Sequence, residues 1–157
     1  MIVIADTSPI NYLILIEEIE VLPALYGQVV VPPAVCDELR RARASEQVRI
    51  WIAQPPAWLE VRAPSRSPDS HLAHLDAGER DAILLAEELR ADRLIIDEIR
   101  GRREAERRQL PFTGTLGVLA AAAENGLLDL RSAVEQLRHT NFHIAESILD
   151  RLVEGQP

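Results

Sequence analysis

Lysine is absent from this chain: all 17 basic residues are arginine, set against 25 acids and a net charge of −8. Phosphate chemistries that depend on a lysine ammonium are therefore excluded, while arginine can still grip phosphate bidentately and keeps its charge. The acidic balance argues against broad, sequence-independent adsorption to nucleic acid, which positive charge drives, and leaves a local site open. A single cysteine, Cys36, excludes an intramolecular disulfide. Aromatics are only 4% of the residues, so the core must be built from Leu, Ile, Val and Ala, a composition suited to helices packed on a sheet. No apolar stretch approaches the ~20 residues of a membrane helix, and no basic region precedes the short N-terminal apolar run. These absences predict a soluble, cytoplasmic protein, and 157 residues predict one domain, 1–157.

What is present begins with a β-branched run at residues 2–5 that ends on Asp6, Thr7, Ser8 and Pro9. The run suits a buried parallel strand. Ser8 as N-cap and Pro9 at the first helical position then predict a helix through Ile16, which leaves Asp6 in a strand-to-helix turn. Open α/β sheets collect ligands beyond the carboxyl ends of their strands, although a turn aspartate also serves as a simple cap.

Along the chain, the pattern predicts a helix over 21–25 stopped by Gly27, a strand over 28–33, a helix from Pro33 carrying Glu38, and an amphipathic segment over 46–52. A strand over 58–62 and a Pro/Ser/Arg-rich surface excursion over 63–69 follow. Residues 75–89 read as a helix with Glu79 and Asp81 in its first turn, residues 92–98 as a strand ending on Asp97 and Glu98, and residues 99–109 as an arginine-rich helix. A short strand over 110–115 leads into a helix over 116–125, and an amphipathic helical pair over 130–138 and 144–153 closes the chain. The alternation predicts a three-layer α/β/α sandwich around a parallel sheet of about five strands.

Four segments thus deliver acids to strand ends or first helical turns: Asp6, Glu38, Glu79 with Asp81, and Asp97 with Glu98. In a parallel sheet these converge on one edge. Carboxylates so crowded resist ionisation unless a cation compensates them. An all-oxygen donor set suits Mg²⁺ or Mn²⁺ better than Zn²⁺, and such ions commonly serve phosphoryl chemistry. Two other acid-rich α/β plans fail on composition: a phospho-accepting receiver domain needs a lysine, and a haloacid-dehalogenase-type phosphatase needs Asp-x-Asp where this chain has Asp6, Thr7 and Ser8.

The stretches Val3-Ile-Ala-Asp6-Thr-Ser-Pro9, Val30-Val-Pro-Pro-Ala-Val-x-x-Glu38-Leu39, Asp76-x-Gly-Glu79-x-x-Ala-Ile-x-Leu-Ala86, Leu94-Ile-Ile-Asp97 and Thr113-Gly-Thr-Leu-Gly-Val-Leu119 resemble the successive motifs of PIN-domain proteins. They are most similar to a bacterial and archaeal branch allied to the VapC-type toxins. The resemblance covers residues 2 to about 128, in order. It implies a PIN-like fold and a Mg²⁺- or Mn²⁺-dependent endoribonuclease acting on single-stranded RNA, commonly the toxin of a toxin–antitoxin pair, with a small antitoxin partner and a homodimeric state. Carried over by position, Asp6, Glu38, Glu79 and Asp97 match the catalytic, metal-binding acids. Glu98 stands where a further ligand is frequent, and Asp81, Thr7 and Thr115 match neighbouring positions around the metal or the scissile phosphate. Arg100 and Arg103 follow the acid pair and are candidates for RNA phosphates, with a salt-bridged surface as the alternative. A PIN fold kept as a non-catalytic binding module, or turned to DNA, is the competing reading. His71 and His74, Trp51 and Trp58, and Cys36 read as surface or packing residues.

Overall fold

The computed structural model describes residues 1–41 and 43–142. Five short strands, β1 (Val3–Ala5), β2 (Val29–Val31), β3 (Leu59–Val61), β4 (Arg93–Ile95) and β5 (Phe112–Thr113), form one parallel sheet in the order β3-β2-β1-β4-β5. Eight helices occupy the described chain: α1 (Thr7–Leu15), α2 (Val21–Tyr26), α3 (Pro33–Arg40), α4 (Glu46–Ala53), α5 (Ala77–Leu89), α6 (Ile99–Arg107), α7 (Thr115–Glu124) and α8 (Leu130–Arg138). The first part of the predicted C-terminal pair is therefore α8, and the second, over 144–153, lies outside the described residues.

Strand periodicity divides the core in two. Val3, Ala5, Val29, Val31 and Ile95 face a layer supplied by α1 to α4, α7 and α8. Ile4, Val30, Leu94 and Ile96 face the other way, onto Ile83, Leu85 and Ala86 of α5 and Ala105 of α6. These strands are buried on both faces, which is why they are almost uninterrupted aliphatic runs. Each fully buried aliphatic side chain contributes ~1.5–3 kcal/mol. The chain is thus a three-layer α/β/α sandwich, as the alternation of elements predicts.

The first helix departs from the expected start. It begins at Thr7, so Asp6 occupies the N-cap position and Pro9 the third helical residue. Asp6 makes no side-chain capping bond, so the carboxylate is left for something else. The excursion at 63–69 is pinned down: the Ser65 N–H and hydroxyl both donate to Glu88, and Arg108 Nη2 donates to Asp69 at 2.8 Å.

The topology fixes where a ligand goes. The chain moves outward from β1 to β2 and β3, then returns to the opposite side of β1 to lay down β4 and β5. The carboxyl ends of β1 and β4 flank that reversal, the usual crevice for ligands in open α/β sheets. Ala5 pairs with Ile95, and the Asp6 N–H donates to the Ile95 carbonyl at 2.9 Å. Asp6 and Asp97 therefore leave the sheet side by side.

Candidate metal centre

Asp6 is only 3% exposed, yet its Oδ1 is buried without a hydrogen-bond partner. Burial drives its pKa well above the usual carboxylate range, and the charges of Asp76, Glu38 and Asp97 push in the same direction against a stabilising bond from the Thr7 N–H. Such a group is either protonated or compensated by a cation.

Its neighbours supply further carboxylate oxygens that could hold a cation with it. One carboxylate oxygen each from Asp6, Glu38 and Asp76 lies within 4.8 Å of the other two. Glu38 reaches the cluster from α3 and is fixed at both oxygens: the Thr7 hydroxyl donates to Oε1, and the Gly78 N–H donates to Oε2 at 3.1 Å. Gly78 is the residue this approach requires, because a Cβ there would overlap the Glu38 carboxylate. Asp76 is the N-cap of α5 and accepts from the Glu79 N–H at 2.9 Å. Three carboxylates without a histidine or thiol form a hard donor set of the kind that suits Mg²⁺ or Mn²⁺, and the orphaned Asp6 oxygen faces a need that such an ion meets.

Asp76 was not among the acids expected to bind metal. Its spacing ahead of Gly78 and Glu79 is that of a helix cap, a sufficient local reason for an aspartate. Its position against Asp6 and Glu38 depends on α5 packing beside α3, which no local pattern shows. The Asp-x-Gly-Glu stretch was nevertheless the signal that something gathers there.

The other expected residues take distinct places. Glu79 is 6% exposed, and its Oε2 has no partner and lies against Ile96 and the close-packed Gly101 of α6. Burial, then the hydrogen bond and charge of Asp76, then Asp6 and Glu98, push its carboxyl up to about 9. Asp97 stands beside the three-acid set, where Thr115 holds it through its N–H at 2.8 Å and its hydroxyl at 2.7 Å. Glu98 is an exposed residue at the start of α6 whose charge reaches Glu79 and Tyr12. Asp81 pairs with the adjacent Arg80 at 3.3 Å. Arg100 and Arg103 are exposed on α6, whereas Arg107 and Arg108 of that stretch are engaged by Glu104. Of the residues read as packing, Cys36 is buried, and Trp51 and Trp58 lie 5.9 Å apart at the rim of the core. His71 and His74 are exposed.

A three-layer α/β/α sandwich with an acidic, metal-suited cluster at its switch point defines a class of hard-cation sites. Within that class the chain belongs to the PIN-domain family, matching the family DUF3368, PIN domain, over residues 2–155. Among solved structures it is similar to a PilT N-terminus domain protein from the hyperthermophilic archaeon Sulfolobus solfataricus P2. That likeness has a TM-score of 0.55 at 16% identity and covers 92% of this chain and all of that one. At that identity it supports the fold alone. No curated protein matches the sequence. No helix among the described residues is long and apolar enough to cross a membrane.

Proposed function

We propose that this PIN-domain protein is a Mg²⁺- or Mn²⁺-dependent endoribonuclease that hydrolyses single-stranded RNA, acting as the toxin of a type II toxin–antitoxin pair. The observation that carries the reading is the buried, unpartnered Asp6 Oδ1 held against Glu38 and Asp76. A hard divalent ion bound there supplies Lewis-acid polarisation of a phosphoryl oxygen and acidifies water for attack. The protein's part is to keep the donors in place. Thr7 and Gly78 orient Glu38, the α5 N-terminus orients Asp76, and the end of β1 presents Asp6. Thr115 holds Asp97 beside them with its acceptor oxygens directed. Glu79 and Glu98 complete the acidic surround, and Arg100 and Arg103 project from the helix that follows.

The test joins binding to activity. Mn²⁺ titration should raise the melting temperature saturably, because a ligand selective for the folded state stabilises it, and single-stranded RNA should be cut only with the ion present. Asp6→Asn should lose both effects while keeping the wild-type circular dichroism spectrum. Cleavage that survives a chelator, or an active Asp6→Asn protein, would sink the enzymatic reading. Absence of a thermal shift would favour a binding module, and preferential cutting of single-stranded DNA would replace the substrate. Growth arrest on expression, relieved by Asp6→Asn and by a small protein encoded next to this gene, tests the toxin assignment. Light scattering with and without that protein tests the homodimer.

A further inference from the structure

The acid cluster opens into a groove of about 340 Å³ that is anionic and cationic at once. Glu38, Asp76, Thr7 and Asn11 line it together with Arg41 and Arg43. The two arginines emerge where α3 ends at Arg40 and the chain turns extended. Arg40 pairs with Asp37 at 3.4 Å. Arg41 and Arg43 are exposed, and neither side chain has a hydrogen-bond or ion-pair partner among the described residues. Two guanidinium groups thus share a groove with two carboxylates and form no ion pair with them.

A larger groove of about 690 Å³ lies at the opposite edge of the sheet, beside the residues that lead into β4 and β5. It also contains arginines, but Arg108 there is consumed by Glu104, Glu87 and Asp69 at 2.6–2.8 Å. The groove at the acid cluster sets two arginines without partners among the described residues beside acids that suit a cation.

Building on the ribonuclease reading, we propose that this groove is a subsite for the RNA strand beside the bond to be cut, with Arg41 and Arg43 gripping the adjoining phosphodiester. A strand with one phosphate at the acid cluster continues along the groove that Glu38 and Asp76 share with Arg41 and Arg43. A guanidinium binds phosphate bidentately without losing its charge, and the groove's volume falls at the small end of ordinary ligand sites, suited to a nucleotide-sized unit. An acidic peptide is the competing occupant, and the competition with polyglutamate tests it. The subsite also gives a net-acidic protein a local means of holding a polyanion.

The experiment measures the affinity of a fluorescent twelve-nucleotide oligouridylate by anisotropy, with Ca²⁺ as the divalent ion, and its cleavage with Mn²⁺. The proteins are wild type, Arg41→Gln/Arg43→Gln, and the control Arg66→Gln/Arg90→Gln from the opposite groove. The Arg41/Arg43 double variant should bind at least tenfold more weakly. Its dependence of log affinity on log salt should be shallower by about 0.7, the slope carried by one neutralised phosphate on a single strand. Its Mn²⁺-induced thermal shift should match wild type, since the acids are untouched, and the control should change affinity less than threefold. Equal losses in both double variants, or wild-type affinity in Arg41→Gln/Arg43→Gln, would overturn the subsite. So would displacement of the strand by polyglutamate bound through the same two arginines more tightly than RNA. Failure of the ribonuclease reading looks different: wild-type protein then neither binds nor cuts the strand, and both proposals fall together.

Discussion

Thr115 holds Asp97 through two donors, its backbone N–H at 2.8 Å and its hydroxyl at 2.7 Å, from a position with no solvent exposure at the start of α7. Gly114 makes this approach possible, since a Cβ there would stand 2.8 Å from Asp97 Oδ1. Thr115→Val keeps the shape and removes one donor. Loss of a hydrogen bond to a charged group costs ~1.5–3 kcal/mol, so the variant should melt earlier, and the released carboxylate should lower RNA cleavage further than the stability change explains. Thr115→Ser should restore both. Thermal melting and single-turnover cleavage measured together make the comparison; a Thr115→Val enzyme as active as wild type would show that Asp97 needs no such anchor.

Asp76, the N-cap of α5, and Glu79, in its first turn, interact with each other but differ in burial: Asp76 is exposed and Glu79 is buried. Asp76→Asn retains a good N-cap, because asparagine caps about as well as aspartate, and removes one charge from the cluster of Asp6, Glu38 and Asp76. It should therefore weaken Mn²⁺ binding by at least tenfold in calorimetry with little change in melting temperature of the metal-free protein. Glu79→Gln replaces a buried carboxyl whose pKa is already raised. It should leave Mn²⁺ affinity within about threefold and leave the metal-free protein as stable or more so. The reverse ranking of the two variants would move the ligand set onto Glu79.

The same burial fixes the sign of the pH response. Glu79 is pushed up to about 9 and Asp6 well above its ordinary range, whereas in the unfolded chain both ionise near pH ~4. Between those values the unfolded state holds fewer protons than the folded state, so stability falls as pH rises, by no more than ~1.4 kcal/mol per pH unit for each group. Glu104, Asp69 and Glu88 are held below their ordinary range by arginine or Ser65 and are largely ionised by pH 5 in both states, so they offset little of this slope. In chelator the melting temperature should drop from pH 5 to pH 8. With saturating Mn²⁺ the drop should shrink, because the ion takes the place of protons at the acids. A melting temperature in chelator that rises over this interval would contradict the crowding of unpaired carboxyls.

Far from the cluster, Arg108 gathers three acids: Nε to Glu104 at 2.6 Å, Nη1 to Glu87 at 2.6 Å and Nη2 to Asp69 at 2.8 Å. Both Arg108 and Glu104 are more than nine-tenths buried. Removing one partner of a buried pair leaves a desolvated charge, so Arg108→Ala should cost about 3 kcal/mol, near the lower end of measured cases because Arg107 still reaches Glu104. Chemical denaturation reads the loss. The Mn²⁺-induced thermal shift should be retained, which separates a structural network from the metal centre.

The order of residues is enough to specify the sandwich. Its β-branched runs buried on both faces, the prolines and glycines that bound its helices, and the alternation of strand and helix leave little else for residues 2–128 to form. It also points to acids gathering at one edge, because Asp6 and Asp97 lie just beyond strand ends and Glu38 lies in the helix that follows β2 in a parallel sheet. Tertiary packing alone decided which acids meet. Asp76 looks locally like a cap and Glu79 like a ligand, but α5 lies against α3 so that the Gly78 N–H donates to Glu38 and Asp76 stands against Asp6, while Glu79 Oε2 lies beside Gly101. Helical periodicity fixes the face a side chain occupies. Which neighbouring element that face meets is set by contacts distant in the chain, and those contacts, not the order of the residues, determine which carboxylates stand together.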